Sequence, residues 1–249
     1  MKAVLLTRLL LPAAVLALAS CATSPAGSDA AAGGGDALDD YAASDGVADP
    51  LEPVNRAIFR FNDVVYDFVM RPIAKGYEWV APKPLRTALD NGFDNVKYPV
   101  RLTNSLLQGK FDRAGLETEK FLVNSLAGFG GLIRQSDRVP RLADLPAEDT
   151  GQTLAVWGIP QGPYLVLPVL GPSSVREAFG YAGDYVMNPV NWGMFQHRDS
   201  LQYIPPSTNT LRALPEQLRT YDTARKDAID PYLSVRSTFL QNRDAAARE

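Results

Sequence analysis

Cys21 is the only cysteine among 249 residues, and it stands directly after Leu18-Ala19-Ser20. A lone thiol cannot close an internal disulfide. Small residues before it suit a different chemistry: the sulfur is acylated, the chain is cut, and the modified cysteine becomes the first residue of the mature protein. Lys2 and Arg8 supply a basic start, and Leu9 to Leu18 form an apolar stretch too short to span a bilayer. Residues 1–20 therefore read as a lipoprotein signal peptide and Cys21 as the site of lipid attachment. Few other side chains offer chemistry. The single histidine, His197, lies in a polar stretch with nothing beside it to orient an imidazole, and no Gly-x-Ser-x-Gly elbow occurs, so no catalytic residue is nominated. Glu148-Asp149 is a carboxylate pair, but it precedes a helix start, where acidic side chains cap the backbone. Gly128 to Gly131 lacks the Gly-Lys-Ser/Thr ending of a phosphate loop and reads as a hinge or close-packing segment. Neither a metal site nor a cofactor is indicated.

Composition narrows the classes further. Once the leader is removed, 23 basic residues face 28 acidic ones, a formal charge of −5. No basic stripe is left to neutralise phosphates, which argues against nucleic acid as a partner. Residues 21–48 are rich in Ala, Gly, Ser and Asp around Gly33-Gly34-Gly35 and cannot bury enough apolar surface to fold. They read as a lipidated flexible tether reaching roughly 30 Å. Residues 49–244 are long enough for one domain, and residues 245–249 read as a disordered tail. Beyond the leader no run of 18 uncharged apolar residues occurs, so the domain does not cross a bilayer as a conventional helix.

The domain reads as many short helices broken by prolines, with one small hairpin at most. Val54, Ile58, Phe61, Val65 and Phe68 recur at steps of four and three, giving an amphipathic helix that should end before Pro72. Leu85, Leu89, Phe93 and Val96 mark a second helix. Pro99 opens a third that stops at Gly109, and Asp112 is a candidate cap for a fourth through Leu126. Asp149 with Gln152, and Ser174 with Glu177, form two capping-box patterns. Between them, Gly162 to Pro172 holds three prolines and should be extended. Leu211 to Tyr221 and Pro231 to Leu240 read as the last two helices. The aromatic groups Phe59/Phe61/Tyr66/Phe68 and Tyr181/Tyr185 read as core, with lipid contact as the second reading.

Several blocks then combine in one order: DPLEPVNRAIFRFN (49–62), RPIAKGY (71–77), FLVNSLAGFGGL (121–132), GQTLAVWG (151–158), GPYLVLPVLGPSSVRE (162–177) and DPYLSVR (230–236). Together they resemble the MlaA/VacJ family of outer-membrane lipoproteins over nearly the whole domain. The resemblance implies a mainly α fold with little β: a ring of short amphipathic helices around a central channel, apolar outward and polar inward. It also implies a role in intermembrane phospholipid transport, removing mislocalised phospholipids from the outer leaflet and maintaining lipid asymmetry. The implied partners are phospholipids, a trimeric outer-membrane porin and a periplasmic lipid-carrier protein. The implied location is the outer membrane, lipid-anchored at its inner, periplasmic leaflet. Carried over residue by residue, the resemblance makes Gly158 and Gly162 parts of a flexible channel hairpin and Arg176 and Asp184 polar lining. Phe61 and Asn62 fall on a first-helix segment tied to control of lipid flow. Pro160 stands where related sequences can carry glycine, which would stiffen the hairpin. A membrane-anchored lipid hydrolase or acyltransferase and a structural porin-associated lipoprotein are the alternatives.

Overall fold

The computed structural model describes residues 49–192 and 203–248. The signal peptide, Cys21, the tether and His197 lie outside these described residues. Within them the chain is mainly helical, with eleven α-helices and one two-stranded sheet. Helix α1 (Glu52–Val65) passes through a π turn (Tyr66–Met70) directly into α2 (Arg71–Val80), followed by α3 (Lys83–Val96), α4 (Tyr98–Leu107) and α5 (Phe111–Ala127). After a 3₁₀ turn come the short α6 (Pro140–Ala143) and α7 (Thr150–Val156), then strands β1 (Tyr164–Leu167) and β2 (Gly171–Ser174). The chain closes with α8 (Val175–Met187), α9 (Pro189–Trp192), α10 (Ile204–Arg225) and α11 (Pro231–Arg248). No helix of the described residues is long and apolar enough to cross a membrane.

Several expected boundaries hold for the expected reason. Asp149 Oδ1 accepts from Gln152 N at 2.8 Å, and Ser174 Oγ from Glu177 N at 3.3 Å, so both capping residues satisfy an orphan amide. Other boundaries need correction. The first helix does not end before Pro72, because the π turn widens the spiral (Arg71 N bonds to Tyr66 O) and makes room for the proline ring. Asp112 sits in the first turn of α5 and not at its cap, which is Lys110, so it acts through the helix dipole. Helix α10 starts at Ile204, seven residues before the expected Leu211, since prolines are tolerated in a first turn. The expected disordered tail is helical as far as Arg248, because Ala245, Ala246 and Ala247 propagate a helix already nucleated upstream.

The larger surprise is which helix faces are buried. In α1 and its continuation, the expected apolar stripe divides: Val54, Phe61 and Phe68 are exposed, Phe68 at 78 %, while Ile58 and Val65 are half-buried against the two apolar clusters. Of the aromatic group read as core, only Phe59 and Tyr66 are buried, while Tyr181 and Tyr185 are half-buried. The pattern repeats elsewhere. Trp79 in α2 is 87 % exposed and Leu126 in α5 is 82 % exposed, and Val175, Phe179 and Val186 line the outside of α8. Inside, two small apolar clusters fix the frame. Phe59, Tyr164, Val166, Tyr232, Val235 and Leu240 join α1, β1 and α11, whereas Tyr66, Met70, Ala74, Leu214 and Leu218 join the π turn and α2 to α10.

The sheet is a hairpin with Tyr164 opposite Ser174 and Leu167 opposite Gly171. Its free edge is held by α1 through two asparagines. Asn55 bonds to Tyr164 O at 3.0 Å and accepts from Val166 N at 2.9 Å; Asn62 bonds to Leu167 O at 2.9 Å and accepts from Val169 N at 2.6 Å. Seven helical residues rise about 10.5 Å, close to the ~10 Å of three strand residues, so the two amides act together as a substitute strand. Val169 has φ 69°, a strained value for a β-branched residue. Asn62 and the Tyr66 hydroxyl, which donates to Val169 O at 2.8 Å, hold it there.

Candidate functional site

Helices α3, α4, α8, α9 and α10 touch one another in sequence around a closed circuit. The groups they turn inward are charged. Asp90, Asp94, Lys97 and Arg101 follow one another at helical spacing along α3 and into α4, and so occupy one face. Arg101 Nε meets Glu117 Oε2 of α5 at 2.7 Å, and Glu117 is fully buried. Arg101 also lies 3.4 Å from Asp94, which Arg134 approaches from the other side at 3.8 Å. Asp94 retains 39 % of its side-chain exposure, yet burial remains the strongest influence on its carboxyl, ahead of Arg101, which helps to hold it below the usual range. Lys97 is likewise half-exposed, and burial, followed by Arg212, pushes its ammonium down to about 8. Asp94 and Lys97 are thus hemmed in by protein while water still reaches them.

On the facing side, α7 and α8 cross at Gly151 and Gly180, where a Cβ on Gly180 would stand 2.6 Å from Gly151 N. That close approach brings Thr150 onto Asp184, whose Oδ1 accepts from Thr150 N at 3.0 Å, Thr150 Oγ1 at 2.6 Å and Asn104 Nδ2 at 3.3 Å. Burial, followed by the nearby Asp149 charge, still pushes the Asp184 carboxyl up to about 7. Folded protein thus holds a proton here that the unfolded chain releases near 3.8, so this group's contribution to stability falls as pH rises from about 4 to 7. Asp184→Asn is expected to raise unfolding free energy by on the order of 3 kcal/mol at pH 7.5, with the gain fading toward pH 4. Urea titrations at the two pH values read the difference.

The expected site residues divide between places. Arg176 and Asp184 share α8 but not an ion pair: buried Arg176 reaches Glu177 at 3.2 Å, and Glu177 in turn meets Arg243 of α11 at 2.5 Å. Asn62 is buried at the hairpin while its neighbour Phe61 faces out. Gly158 ends α7 with φ 82°, its amide bonding to Ala155 O and that of Ile159 to Leu154 O, a double closure that needs a left-handed residue. A side chain there would meet open space, so strain alone opposes one. Gly162 lies two residues before β1, with φ 71°. Glu148 is drawn to Lys110 at 2.9 Å and Asp149 to Arg243 at 2.7 Å, so both carboxylates serve structure. Sequence reasoning missed Lys97, Arg101, Glu117 and Arg212. Lys97 and Arg101 stand at helical spacing, but a charged stripe ordinarily marks a solvated face, and Glu117 and Arg212 come from other helices. Among the described residues, no group of His, Cys, Asp and Glu side chains could hold a metal ion.

Charged groups thus gather between helices that carry apolar side chains on their exposed faces, and known proteins have similar sequences. The Escherichia coli intermembrane phospholipid transport system lipoprotein MlaA is 30% identical over 207 residues, covering 81% of this chain and 79% of its own length. Its Haemophilus influenzae namesake is 29% identical over 195 residues, with 78% and 77% covered, and an uncharacterised Rickettsia typhi protein is 31% identical over 206 residues, with 81% and 79% covered. A chain solved in work on the structural basis for maintenance of bacterial outer membrane lipid asymmetry superposes with a TM-score of 0.65 at 28% identity, over 80% of this chain and 99% of that one. The model of one family, MlaA lipoprotein, matches residues 47–246, and this chain belongs to that family.

Proposed function

We propose that this protein is a non-catalytic conduit for phospholipid at the outer membrane, taking mislocalised lipid from the outer leaflet and passing it to a periplasmic carrier. The observation that carries the proposal is the inverted polarity of the helices. Exposing two acyl chains of about sixteen carbons to water would cost on the order of 25 kcal/mol at ~0.8 kcal/mol per CH₂, and burying an unpartnered head group in hydrocarbon is also expensive. Apolar outer faces on α1, α2, α5 and α8 let the protein sit among lipid tails, while the charged groups around Asp94 and Lys97 carry the head group. Helix α11 has no large exposed apolar side chain, and α10 only Ile204, which suits the periplasmic side. Cys21 would anchor the chain in the inner leaflet, and a trimeric porin would seat the ring and open its far side. The names carried by the E. coli relative and the solved structure, phospholipid transport and lipid asymmetry, accord with this reading.

Deleting the gene in its own host should raise outer-leaflet phospholipid and detergent sensitivity, and the parent gene should restore both. Gly158→Val, strained but not sterically blocked, should restore them poorly at normal protein and porin levels. Purified parent protein should leave labelled phospholipid uncleaved. Unchanged asymmetry in the deletion strain would overturn the conduit; turnover of the labelled lipid would favour the hydrolase.

A further inference from the structure

The segment that follows α5, expected as a hinge or a close-packing turn, proves closely packed. Phe129, Gly130 and Gly131 are successive left-handed residues, with φ 53°, 73° and 94°. Their turn is closed by bonds from Gly130 N to Ser125 O, Gly131 N to Asn124 O and Ile133 N to Gly128 O, each at 2.9 Å. A Cβ on Gly131 would stand 2.5 Å from Asn95 Cβ, and one on Gly92 would stand 3.2 Å from Leu132 Cδ2. Asn91 Nδ2 adds a bond to Leu132 O at 3.1 Å. The turn is thereby fixed alongside α3, and between them lies an open cleft of about 460 Å³, in the size range of ligand sites.

Pro84, Thr87 and Ala88 form one wall of the cleft, and Leu132 and Ile133, both exposed, form the other. The lining is almost wholly apolar, and its one charged side chain is Lys83, at the start of α3. Lys83 is exposed and pairs with no carboxylate among the described residues. Glu78, on the preceding helix, is taken by Arg86 at 2.8 Å and Arg219 at 2.7 Å, and the first turn of α3 holds no acidic residue. From Lys83 to Asn91 the cleft follows about 12 Å of helix, close to the ~15 Å hydrocarbon depth of one leaflet. Leu126 and Phe129, both about four-fifths exposed, continue the apolar surface from the same turn.

An aliphatic furrow with a free cation at one end complements an anionic group joined to a hydrocarbon tail. Burial of the tail supplies the attraction, Lys83 selects the head through a charge-assisted hydrogen bond, and walls already in place spare the cost of ordering them. We propose that this cleft holds one acyl chain of a membrane glycerophospholipid, with the lipid phosphate on Lys83. The lipid is a resident one, in a site that shares no lining residue with the charged interior around Asp94 and Lys97. This inference takes from the conduit reading only that the protein sits among lipids.

The test uses full-length protein freed of co-purified lipid in dodecyl maltoside, and counts bound dimyristoylphosphatidylglycerol and dimyristoylglycerol by native mass spectrometry. The parent should take up one phosphatidylglycerol about tenfold more tightly than the phosphate-free diacylglycerol. Lys83→Gln should bring the two lipids to equal affinity. Ala88→Phe, which fills the cleft, should bind one lipid fewer of either kind, whereas Lys75→Gln, at an exposed lysine of α2 outside the cleft, should match the parent. Melting temperatures should agree within about two degrees across the set, because each replaced side chain is at least partly exposed. Unchanged lipid uptake by Ala88→Phe would overturn the cleft, and a preference that survives Lys83→Gln would overturn the phosphate contact. A parent that takes up neither lipid would overturn the proposal outright and leave the cleft to the chain's own anchor or to a protein partner. Failure of the cleft leaves the deletion strain's lipid defect intact, whereas unchanged asymmetry in that strain removes the conduit and leaves the binding data standing.

Discussion

Replacing Asn62 with alanine should lower the unfolding free energy by about 2–4 kcal/mol, because one truncation strips partners from both Leu167 O and the Val169 amide. The loss exceeds that of an ordinary hydrogen bond, since Val169 is kept at φ 69° by these contacts and would relax once released. Hydrogen exchange should quicken across β1, β2 and their turn before the rest of the fold opens. Phe61→Ala provides the contrast: Phe61 is 52 % exposed, so stability should change by less than about 0.5 kcal/mol while partitioning into lipid vesicles weakens. Equal stability of Asn62→Ala and parent would show that the asparagine does not hold the hairpin. Because β2 leads straight into α8, which carries Asp184, a loosened hairpin should also disturb the interior and raise outer-leaflet phospholipid in cells.

Arg101→Met should cost still more, about 3–5 kcal/mol at neutral pH, because it leaves Glu117 fully buried with its nearest cation gone. Lys120, the other cation near Glu117, is itself disfavoured by burial and does not replace a bond of 2.7 Å. The double variant Arg101→Met/Glu117→Leu should recover most of that loss, since an apolar pair of similar volume removes the desolvation penalty along with the attraction. Denaturant midpoints for the two single variants and the double close the cycle. A double variant as unstable as Arg101→Met would mean that the pair is not an isolated unit. A recovered double variant that still fails to sustain lipid asymmetry would separate the charge needed for passage from the charge needed for folding.

Much of the local structure was legible. Asp149 and Ser174 announced helix starts, and the prolines from Gly162 to Pro172 a non-helical segment, because caps and φ restrictions act over three or four residues. The apolar stripe of α1 was equally plain, but its direction was not. Periodicity states that Val54, Phe61 and Phe68 share a face; whether that face meets a core or the surroundings depends on which neighbours the chain brings to the opposite side. Here that side carries Asn55 and Asn62, and the hairpin backbone more than 100 residues away satisfies them. The spacing of Asp90, Asp94, Lys97 and Arg101 likewise does not say what covers them; α5, α8 and α10 do so in space. The sequence by itself determined the helix starts after Asp149 and Ser174 and the family resemblance. Only the tertiary structure decided inside from outside, because a helical repeat records a direction around its own axis, and burial is a property of distant segments meeting in space.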